Sequence, residues 1–395
     1  MPDAIALIAG GVRSAVAPHG GAFRALQPHQ IAAPVLRALL QRVGVPAQAV
    51  DAVVLGNALG AGGNPARMLA LAGGLPERCA AFSIDTQCCA GLDAVSMAVG
   101  LLASGQASVV IAGGVEAWSR SPIRQVRPLH AGQAAITYEQ PAFSPDPARD
   151  PDVRVSAADY ARQHGFSRVQ QDAYAVRSHQ RAMLHRATLA TEIVPVNGLQ
   201  HDAYPRAVDA VRAARMPVAV RAAAWQEATR QPGNRPADCS VSMLATSARA
   251  DGAALVLLAT PQACKTLGIV AQAAWVTSAS VGSDPGTPLL AAEKAAVAAL
   301  SRVGLESVAS LRVIELHDAF AVQGLSFCES LGIESTAINR RGGGLARGHP
   351  IGASGAISLV RLLSDLQLDE LPGARGLVAV AGAGGIGAAA ILERL

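Results

Sequence analysis

Short apolar runs and amphipathic stretches alternate along the first part of the chain. Residues 52–55 and 109–112 are continuous apolar runs followed by glycine, a pattern typical of strands buried on both faces. Between such runs, apolar residues recur at intervals of three and four, as in 31–43, which predicts a helix that ends at Gly44. Strands that alternate with helices indicate a largely parallel sheet covered by helices on both sides.

The alternation fades in the middle of the chain, between residues 119 and 248. Residues 120–154 contain six prolines, which predicts an irregular, extended segment. One clear helix is predicted after it, over 168–186. Four arginines then occur among few acidic residues: Arg206, Arg212, Arg215 and Arg221. Two interpretations stay open for them, a solvated surface or a cationic rim that binds a phosphorylated ligand.

The strand–helix pattern resumes near Ala248, and the second half of the chain echoes the first. In the first half an apolar run leads into a Cys88–Cys89 pair and a helix, while in the second half 338–340 leads into a glycine-rich turn and a helix. The apolar run with a double glycine at 109–114 has a counterpart at 378–385. We therefore predict two similar α/β halves, with the middle segment inserted in the first.

Composition and charge narrow the class of protein. The chain has 395 residues, a net charge of +4 without a block of basic residues, and no long uncharged apolar run. These features argue against nucleic-acid binding and membrane insertion, and predict a cytoplasmic protein of more than one domain. The six cysteines are scattered with no Cys-x-x-Cys pair, so we expect a reducing compartment, no disulfide framework and no metal site.

The stretch 84–95 carries the first candidate for catalysis. Its apolar start, its paired cysteines and the helical spacing of Leu92 and Val95 predict a strand, a sharp turn and a helix. A thiol at a helix N-terminus is stabilised as the thiolate, so we expect a nucleophile here with a lowered pKa. The alternative, a cysteine that only fills the core, stays open because buried free cysteine is common.

Two histidines in the second half are the matching candidates. His317 follows the predicted strand 311–316, and His349 lies in the loop before a small-residue helix that begins near Pro350. A cysteine nucleophile needs a base that takes its proton and donors that stabilise a thioester oxyanion. One histidine can serve as the base while the other assists the oxyanion. Cysteine proteases use the same residue types, but the chain lacks the local motifs of those families.

Several motifs together resemble the thiolase family over essentially the whole chain. In chain order these are Gln87-Cys88-Cys89-Ala90-Gly91-Leu92, Gly113-Gly114-Val115-Glu116, Asp251-Gly252-Ala253-Ala254, His317-Asp318-Ala319-Phe320, the 348–356 box and a glycine-rich C-terminal stretch that ends in Glu393-Arg394. The resemblance implies a thiolase-like fold of two α/β halves in five layers, αβαβα, with an inserted loop domain over a coenzyme A site. The expected domains are a first half at 1–118 and 249–272, a loop domain at 119–248 and a second half at 273–395.

The resemblance also implies roles for individual residues. Gly91 and Leu92, in the third and fourth positions after it, select Cys88 as the residue that takes an acyl group from acyl-CoA as a thioester. His349 is then the base that activates Cys88. His317 stands where many thiolases have an asparagine, and it is expected to hold a water or to donate to the second oxyanion.

A second group of residues is assigned to substrate binding. Gly385 lies in the turn that matches the family's backbone oxyanion donor, and Ser247 matches a serine that contacts the pantetheine arm of CoA. The basic residues of the loop domain are expected to bind the CoA phosphates: Arg206, Arg212, Arg215 and Arg221.

Three departures from the family pattern bear on the reaction. Thiolases usually carry a second cysteine before the C-terminal glycine turn, which moves the α-proton of the acceptor, and counting back from Glu393 puts Ala381 there. The usual Met-Gly pair ahead of the loop-domain helix is replaced at 153–154, and the usual Asn-Ala-Ser-Gly stretch is altered at 245–248. We therefore expect an altered acyl pocket and a changed second half-reaction.

The leading hypothesis is a thiolase-type acyl-CoA C-acyltransferase that forms a carbon–carbon bond or cleaves a 3-ketoacyl-CoA by thiolysis. A first alternative is decarboxylative condensation of the ketoacyl-synthase kind, in which Cys88, His317 and His349 suffice. A second alternative is a protein that binds CoA thioesters without turnover, although the intact Cys88 and His349 argue against it. All three imply acyl-CoA and CoA as partners and no further cofactor, and the family implies a homodimer or a homotetramer.

Overall fold

The computed structural model describes residues 5–60, 62–223 and 237–395. Its strands are β1 Leu7–Ser14, β2 Ala17–Pro18, β3 Ala52–Gly56, β4 Ala80–Ile84, β5 Val109–Ala117, β6 Arg124–Val126, β7 Ile136–Tyr138, β8 Ile193–Val194, β9 Val218–Val220, β10 Val241–Ser242, β11 Ala250–Ala259, β12 Ala273–Gly282, β13 Val313–His317, β14 Arg375–Gly382 and β15 Ile386–Arg394. The α-helices of these ranges are α1 Pro28–Val43, α2 Pro65–Gly73, α3 Ala90–Ala103, α4 Val153–Gln163, α5 Arg168–Leu184, α6 Arg186–Ala190, α7 Ala210–Ala214, α8 Pro261–Leu267, α9 Ala291–Arg302, α10 Ala321–Ser330, α11 Gly344–Arg347 and α12 Ser354–Asp369.

In the described part of the chain, a mixed 11-stranded sheet forms the centre, in the order β13-β14-β15-β12-β1-β11-β5-β3-β4, with β2 beside β11 and β8 beside β1. From the middle outward, each half starts with its first strand, β1 or β12, and continues with its last strand, β11 or β15. The next strands are β5 and β3 in one half and β14 and β13 in the other, with matching directions. This repeat confirms the predicted pair of similar halves.

The buried clusters show how helices cover the two halves. α3 and α12 pack against each other between the inner faces of the halves. α1 and α2 cover the outer face of the first half, and α9 and α10 cover the outer face of the second. The result is the predicted five-layer αβαβα stack.

The sheet is mixed rather than largely parallel, which corrects the sequence-based expectation. β3 pairs in parallel with β4 and β5, and β13 with β14, whereas the β5–β11, β1–β11, β12–β15 and β14–β15 pairs are antiparallel. The short turn 383–385 joins β14 to β15. A connection of this length produces an antiparallel pair, because a parallel pair needs a long crossover.

The segment between β5 and β11 contains more regular structure than its prolines predict. β6 and β7 form an antiparallel hairpin, and α4 starts after Asp152, whose carboxylate accepts the N–H of Arg154. The helix predicted at 168–186 is α5, which begins with a capping box of Ser167 and Gln170. α5 contacts α10 and α11, so this segment lies against the second half.

Glycines let the two halves approach closely beside the cysteine turn. A Cβ added at Gly91 would lie 2.8 Å from the carbonyl oxygen of Gly352, and one added at Gly114 would collide with the same oxygen. The start of α3 and the end of β5 therefore touch the turn that precedes α12 in the other half. This contact brings the cysteine turn and His349 together.

Candidate active site

Both cysteines of the pair lie in a tight 3₁₀ turn, Gln87–Cys89, between β4 and α3. Gln87 has a φ of 48°, in the left-handed region that residues other than glycine rarely adopt. The Asp85 carboxylate supports this backbone by accepting the Gln87 N–H at 3.0 Å. The predicted strand, turn and helix are confirmed, and the strained turn aims Cys88 into the interface between the halves.

Asp93, in the first turn of α3, fixes the cysteine turn to the second half. Its carboxylate accepts the Thr86 hydroxyl at 2.6 Å and the Ser280 hydroxyl, from β12, at 2.5 Å. A strained backbone persists only where its surroundings hold it. The bond from Thr86 connects the start of the turn to α3, and the bond from Ser280 connects α3 to the second half.

Cys88 and His349 meet across the interface, one from each half. Cys88 Sγ lies 3.1 Å from His349 Nε2, although the two residues are 261 positions apart in the chain. His349 follows α11, and its backbone N–H donates to the carbonyl of Ala248 at 2.7 Å. The structure therefore brings the predicted nucleophile within hydrogen-bond distance of the predicted base.

The far side of the His349 ring has two polar neighbours. Its Nδ1 lies 2.5 Å from His317 Nε2 and 2.8 Å from Ser354 Oγ. His317 is the last residue of β13, as predicted, and Ser354 is the first residue of α12. Cys88, His349 and His317 thus form a continuous row across the interface.

Burial shifts the pKa values of Cys88 and His349 in the directions that favour the neutral thiol and the neutral imidazole. It raises the pKa of the Cys88 thiol to about 12, although two backbone N–H groups act in the opposite direction. It lowers the pKa of His349 to about 4. The expected thiolate at a helix N-terminus is therefore wrong: α3 starts only at Ala90, and loss of water around the sulfur outweighs the helix dipole.

Cys89 faces away from this site. Its side chain is 1% exposed, and its Sγ lies 3.6 Å from the carbonyl oxygen of Val380 and 3.7 Å from that of Ile386. Cys88 is partly exposed, whereas Cys79, Cys89, Cys239, Cys264 and Cys328 are all buried. Access therefore supports Cys88 as the nucleophile and a packing role for Cys89.

The C-terminal glycine turn presents a backbone N–H to Cys88, but at a different residue from the one expected. The donor that reaches the thiol is Ala383, together with the N–H of Cys88 itself. Gly385 packs instead against Ser283 and Asp284, and its carbonyl accepts the Ser283 N–H at 2.6 Å. The turn that contains Gly385 therefore reaches the sulfur through Ala383, and the oxyanion role expected for this turn stays a prediction.

Glu116 is a buried residue of the site for which the sequence suggested no role. Its carboxylate accepts the Asn57 side-chain amide at 2.9 Å, the Ala58 N–H at 3.1 Å and, from the other half, the Gly352 N–H at 3.0 Å. Burial raises its pKa to about 7. The available signal was an acidic residue two positions after the double glycine of an otherwise apolar strand. Through its bond to Gly352, Glu116 links the turn after His349 to the first half.

Two family models together span nearly the whole chain. The thiolase N-terminal domain matches residues 6–262 and the thiolase C-terminal domain matches residues 269–394. The chain belongs to the thiolase family. It is accordingly an acyltransferase enzyme of thiolase type, as the sequence motifs predicted.

Similar proteins support this membership over their full lengths. The chain is 33% identical to acetyl-CoA acetyltransferase of Thiocystis violacea, covering 100% of each chain, and 35% identical to a probable acetyl-CoA acetyltransferase of Escherichia coli, covering 98% of each. The crystal structure of the Bacillus anthracis acetyl-CoA acetyltransferase matches with a TM-score of 0.87 and 28% identity, covering 99% of this chain and 98% of that one. Acat5 thiolase from Ascaris suum, solved in complex with coenzyme A, matches with a TM-score of 0.85 and 25% identity, covering 99% of this chain and 100% of that one.

Ser247, the serine expected to contact the pantetheine arm, bonds to the second half of this thiolase. Its hydroxyl donates to the carbonyl of Gly344 at 2.6 Å, and its N–H donates to the carbonyl of Ala319 at 2.8 Å. Ala319 lies two residues after His317 in the chain, and Gly344 packs directly against the His317 ring. Ser247 thus stabilises the segments beside His317, and its hydroxyl proton is already used.

The four loop-domain arginines differ in their surroundings. Arg206 stacks over the Tyr204 ring at 4.3 Å, and Arg212 donates to the carbonyl of Ala207 at 3.0 Å. Arg221 lies 3.7 Å from the carboxylate of Asp238, which is 17 residues further along the chain. Arg215 and Arg212 are exposed.

Ala381 lies on β14, two residues before Ala383. It pairs with Gly387 across the β14–β15 hairpin and is 8% exposed. Its methyl group has no exchangeable proton, so Ala381 cannot act as an acid or a base.

Within the described ranges, no cluster of three or more histidine, cysteine, aspartate or glutamate side chains is arranged to hold a metal ion. In that same part of the chain, none of the helices has the length and apolar character needed to span a membrane.

Proposed function

We propose that the protein takes an acyl group from acyl-CoA onto the Cys88 sulfur and then transfers it to a carbon acceptor, or runs the reverse thiolysis. The observation that supports this is the 3.1 Å contact between Cys88 Sγ and His349 Nε2. An imidazole with a pKa of about 4 is neutral at physiological pH, so Nε2 is free to accept the thiol proton.

The first step follows from these positions. The thiol proton moves to His349 Nε2 as the sulfur attacks the acyl carbonyl, and the departing CoA thiolate takes that proton. Negative charge develops on the carbonyl oxygen and needs donors close to the sulfur. The backbone N–H groups of Ala383 and Cys88 reach the thiol, and we propose that they receive this oxygen.

A two-stage incubation tests the proposed function. Purified protein is mixed with a panel of acyl-CoAs, and intact mass measures the acyl adduct. CoA, acetyl-CoA or malonyl-CoA is then added, and the products are identified. An adduct that CoA or acetyl-CoA discharges supports a thiolase reaction. Product from malonyl-CoA alone supports the decarboxylative alternative, and absence of any adduct supports a protein that only binds CoA thioesters.

Ala381 makes the second half-reaction the informative one. Abstraction of an α-proton by a positioned base is typically worth about 10²–10⁴-fold, so we expect acylation at Cys88 but slow condensation of plain acetyl-CoA. Ala381→Cys should raise acetoacetyl-CoA formation, measured by absorbance, while Ala381→Ser serves as a size-matched control. Condensation by the wild type at the rate of an ordinary thiolase would contradict the assignment of Ala381.

We propose that the loop-domain arginines bind the CoA phosphates. Arg212 and Arg215 are exposed, so their replacement should cost little folding energy, whereas Arg206 and Arg221 have structural partners. The double variant Arg212→Ala/Arg215→Ala should raise the apparent KM for acyl-CoA and leave the KM for an acyl-pantetheine, which lacks the nucleotide phosphates, nearly unchanged. Equal losses on both substrates would show that the arginines do not act through the phosphates.

We propose a homodimer in which the β4 strands of two copies pair. β4 is the end strand of the sheet, and its Phe82 is 47% exposed. The helices that pack against β4, α2 and α3, carry the exposed Met68 and Met97. An apolar edge strand with free backbone groups is a template for pairing with another chain. Phe82→Lys should convert the dimer to a monomer in light-scattering chromatography, and Phe82→Leu should not. An unchanged mass for Phe82→Lys would place the contact elsewhere.

A homotetramer needs a second surface, and the β6–β7 hairpin offers one. Ile123 is 85% exposed, Leu129 83% and Ile136 62%. We propose this hairpin as the contact if light scattering gives four copies.

We propose a cytoplasmic location for the protein. All six cysteines are free thiols, which supports this location because free thiols persist in reducing compartments.

A further inference from the structure

We propose that His317 is a positioning residue that holds His349 as the base for both chemical steps. This inference rests on the proposed function above. His317 Nε2 lies 2.5 Å from His349 Nδ1, whereas Cys88 Sγ contacts the other ring nitrogen, Nε2. The ring planes differ by 24° and the centroids are 4.5 Å apart, so the two imidazoles meet edge to edge with one nitrogen aimed at the other.

The order Cys88, His349, His317 determines where the protons reside. His349 Nε2 can accept the thiol proton only if the ring carries its own proton on Nδ1. That Nδ1–H then donates to His317 Nε2, which must be unprotonated. Ser354 Oγ, the other neighbour of Nδ1, donates to the carbonyl of Pro350 at 3.0 Å and can therefore only assist as an acceptor. His317 and Ser354 thus both favour the tautomer that makes His349 a base, and His317 is the nearer acceptor of the Nδ1 proton.

The His317 ring is held firmly enough for this role. The residue is 2% exposed, and a Cβ added at Gly344 would lie 2.8 Å from its Nδ1, so glycine is needed beside the ring. The next residue, Asp318, accepts the Tyr174 hydroxyl at 2.9 Å and the Asn339 amide at 3.2 Å. The loop-domain helix α5, through Tyr174, therefore helps to keep His317 in place.

This arrangement differs from the role expected for His317 from the sequence, which was to hold a water or to donate to the second oxyanion. Its Nε2 is directed at His349 rather than at the Cys88 sulfur. His317 therefore acts on the reaction through His349.

The same arrangement gives the second step a base although Ala381 provides none, so condensation proceeds on His349 alone and more slowly than with a second dedicated base. After acylation His349 is neutral again, and its Nε2 remains beside the sulfur. The α-proton of the acceptor acyl-CoA moves to Nε2, and the resulting carbanion attacks the carbonyl carbon of the Cys88 thioester. The C–S bond breaks, and the Cys88 thiolate takes the proton from Nε2. One C–H and one C–S bond are exchanged for one C–C and one S–H bond, with no further reactant.

Replacement of His317 by glutamine and by asparagine tests the inference. The amide of glutamine reaches the place of a histidine Nε2, whereas the shorter asparagine reaches only the place of Nδ1. His317→Asn and His317→Ala should therefore slow both half-reactions by about 10²-fold with little change in apparent KM, since a base is lost from position while CoA contacts remain. His317→Gln should recover part of the loss in both steps.

Two further measurements keep this test independent of the acyl substrate. The alkylation rate of Cys88 by iodoacetamide should fall in His317→Asn and recover in His317→Gln. ¹⁵N NMR of the wild type should show His349 protonated at Nδ1. If iodoacetamide reacts equally with the wild type and His317→Asn, or if only the second half-reaction slows, His317 does not act through His349. Suppose that no acyl-CoA forms an adduct, but that the alkylation rate of Cys88 falls in His317→Asn and recovers in His317→Gln. The proposed function then fails, and the inference that His317 positions His349 stands.

Discussion

Replacement of Cys88 by alanine should abolish acyl-enzyme formation with every acyl-CoA. The side chain is the partly exposed thiol of the structure and the one that contacts His349 at 3.1 Å. Removal of the sulfur leaves no atom at that position that can form a thioester. Intact mass after incubation with acyl-CoA measures the loss, and near-native thermal unfolding of the variant shows that the fold is retained.

Cys89→Ala is the matched control for this experiment. It removes a neighbouring thiol of the same size, but one that packs against β14 and β15 and is 1% exposed. The adduct should therefore form in Cys89→Ala and be absent in Cys88→Ala. An adduct that survives in Cys88→Ala, or one that disappears only in Cys89→Ala, would reassign the nucleophile.

The pH dependence of Cys88 reactivity follows from the same pair. With the pKa of Cys88 at about 12 and that of His349 at about 4, both groups are neutral across the physiological range. Iodoacetamide should label Cys88 before the buried cysteines, at a rate that is nearly flat between about pH 6 and pH 9, because the proton leaves through His349. An ordinary thiol would instead react faster as pH rises toward its pKa near 8.5.

The repeated plan of the halves was predictable because it depends on local patterns. Apolar runs followed by glycine marked β3 and β5, and the echo between 109–114 and 378–385 marked equivalent strands. Strand direction was not predictable in the same way. It depends on how chain segments far apart in sequence connect, and the apolar pattern of a buried strand is the same in either direction.

Most of the catalytic row was also predictable, since Cys88, His349 and His317 each follow a recognisable turn or strand end. Their electrostatics were not, because the pKa of a thiol depends on how much water the surrounding fold removes. The placement of Ala383 and the bonds of Glu116 depend on contacts between the two halves. Such contacts leave no periodic pattern in either half.

His349→Ala should slow acylation of Cys88 by about 10²–10⁴-fold, the usual contribution of a positioned proton acceptor. A thiol with a pKa of about 12 contains almost no thiolate at neutral pH, so loss of the base cannot be offset by spontaneous ionisation. The rate of adduct formation at saturating acyl-CoA, measured by quenched-flow mass spectrometry, reports this step directly. Exogenous imidazole should restore part of the rate by occupying the space that the side chain leaves.

Ser354→Ala is the control that separates loss of the base from disturbance of the interface. Ser354 contacts the same Nδ1 as His317 does, at 2.8 Å, and starts α12, but it never touches the sulfur. It should therefore slow acylation far less than His349→Ala while perturbing the same turn. His349→Ala should also make the alkylation rate rise with pH, because the remaining thiol must ionise before it reacts. An acylation rate in His349→Ala equal to that of the wild type, with an unchanged pH profile, would remove His349 from the role of base and leave the Cys88 contact as packing alone.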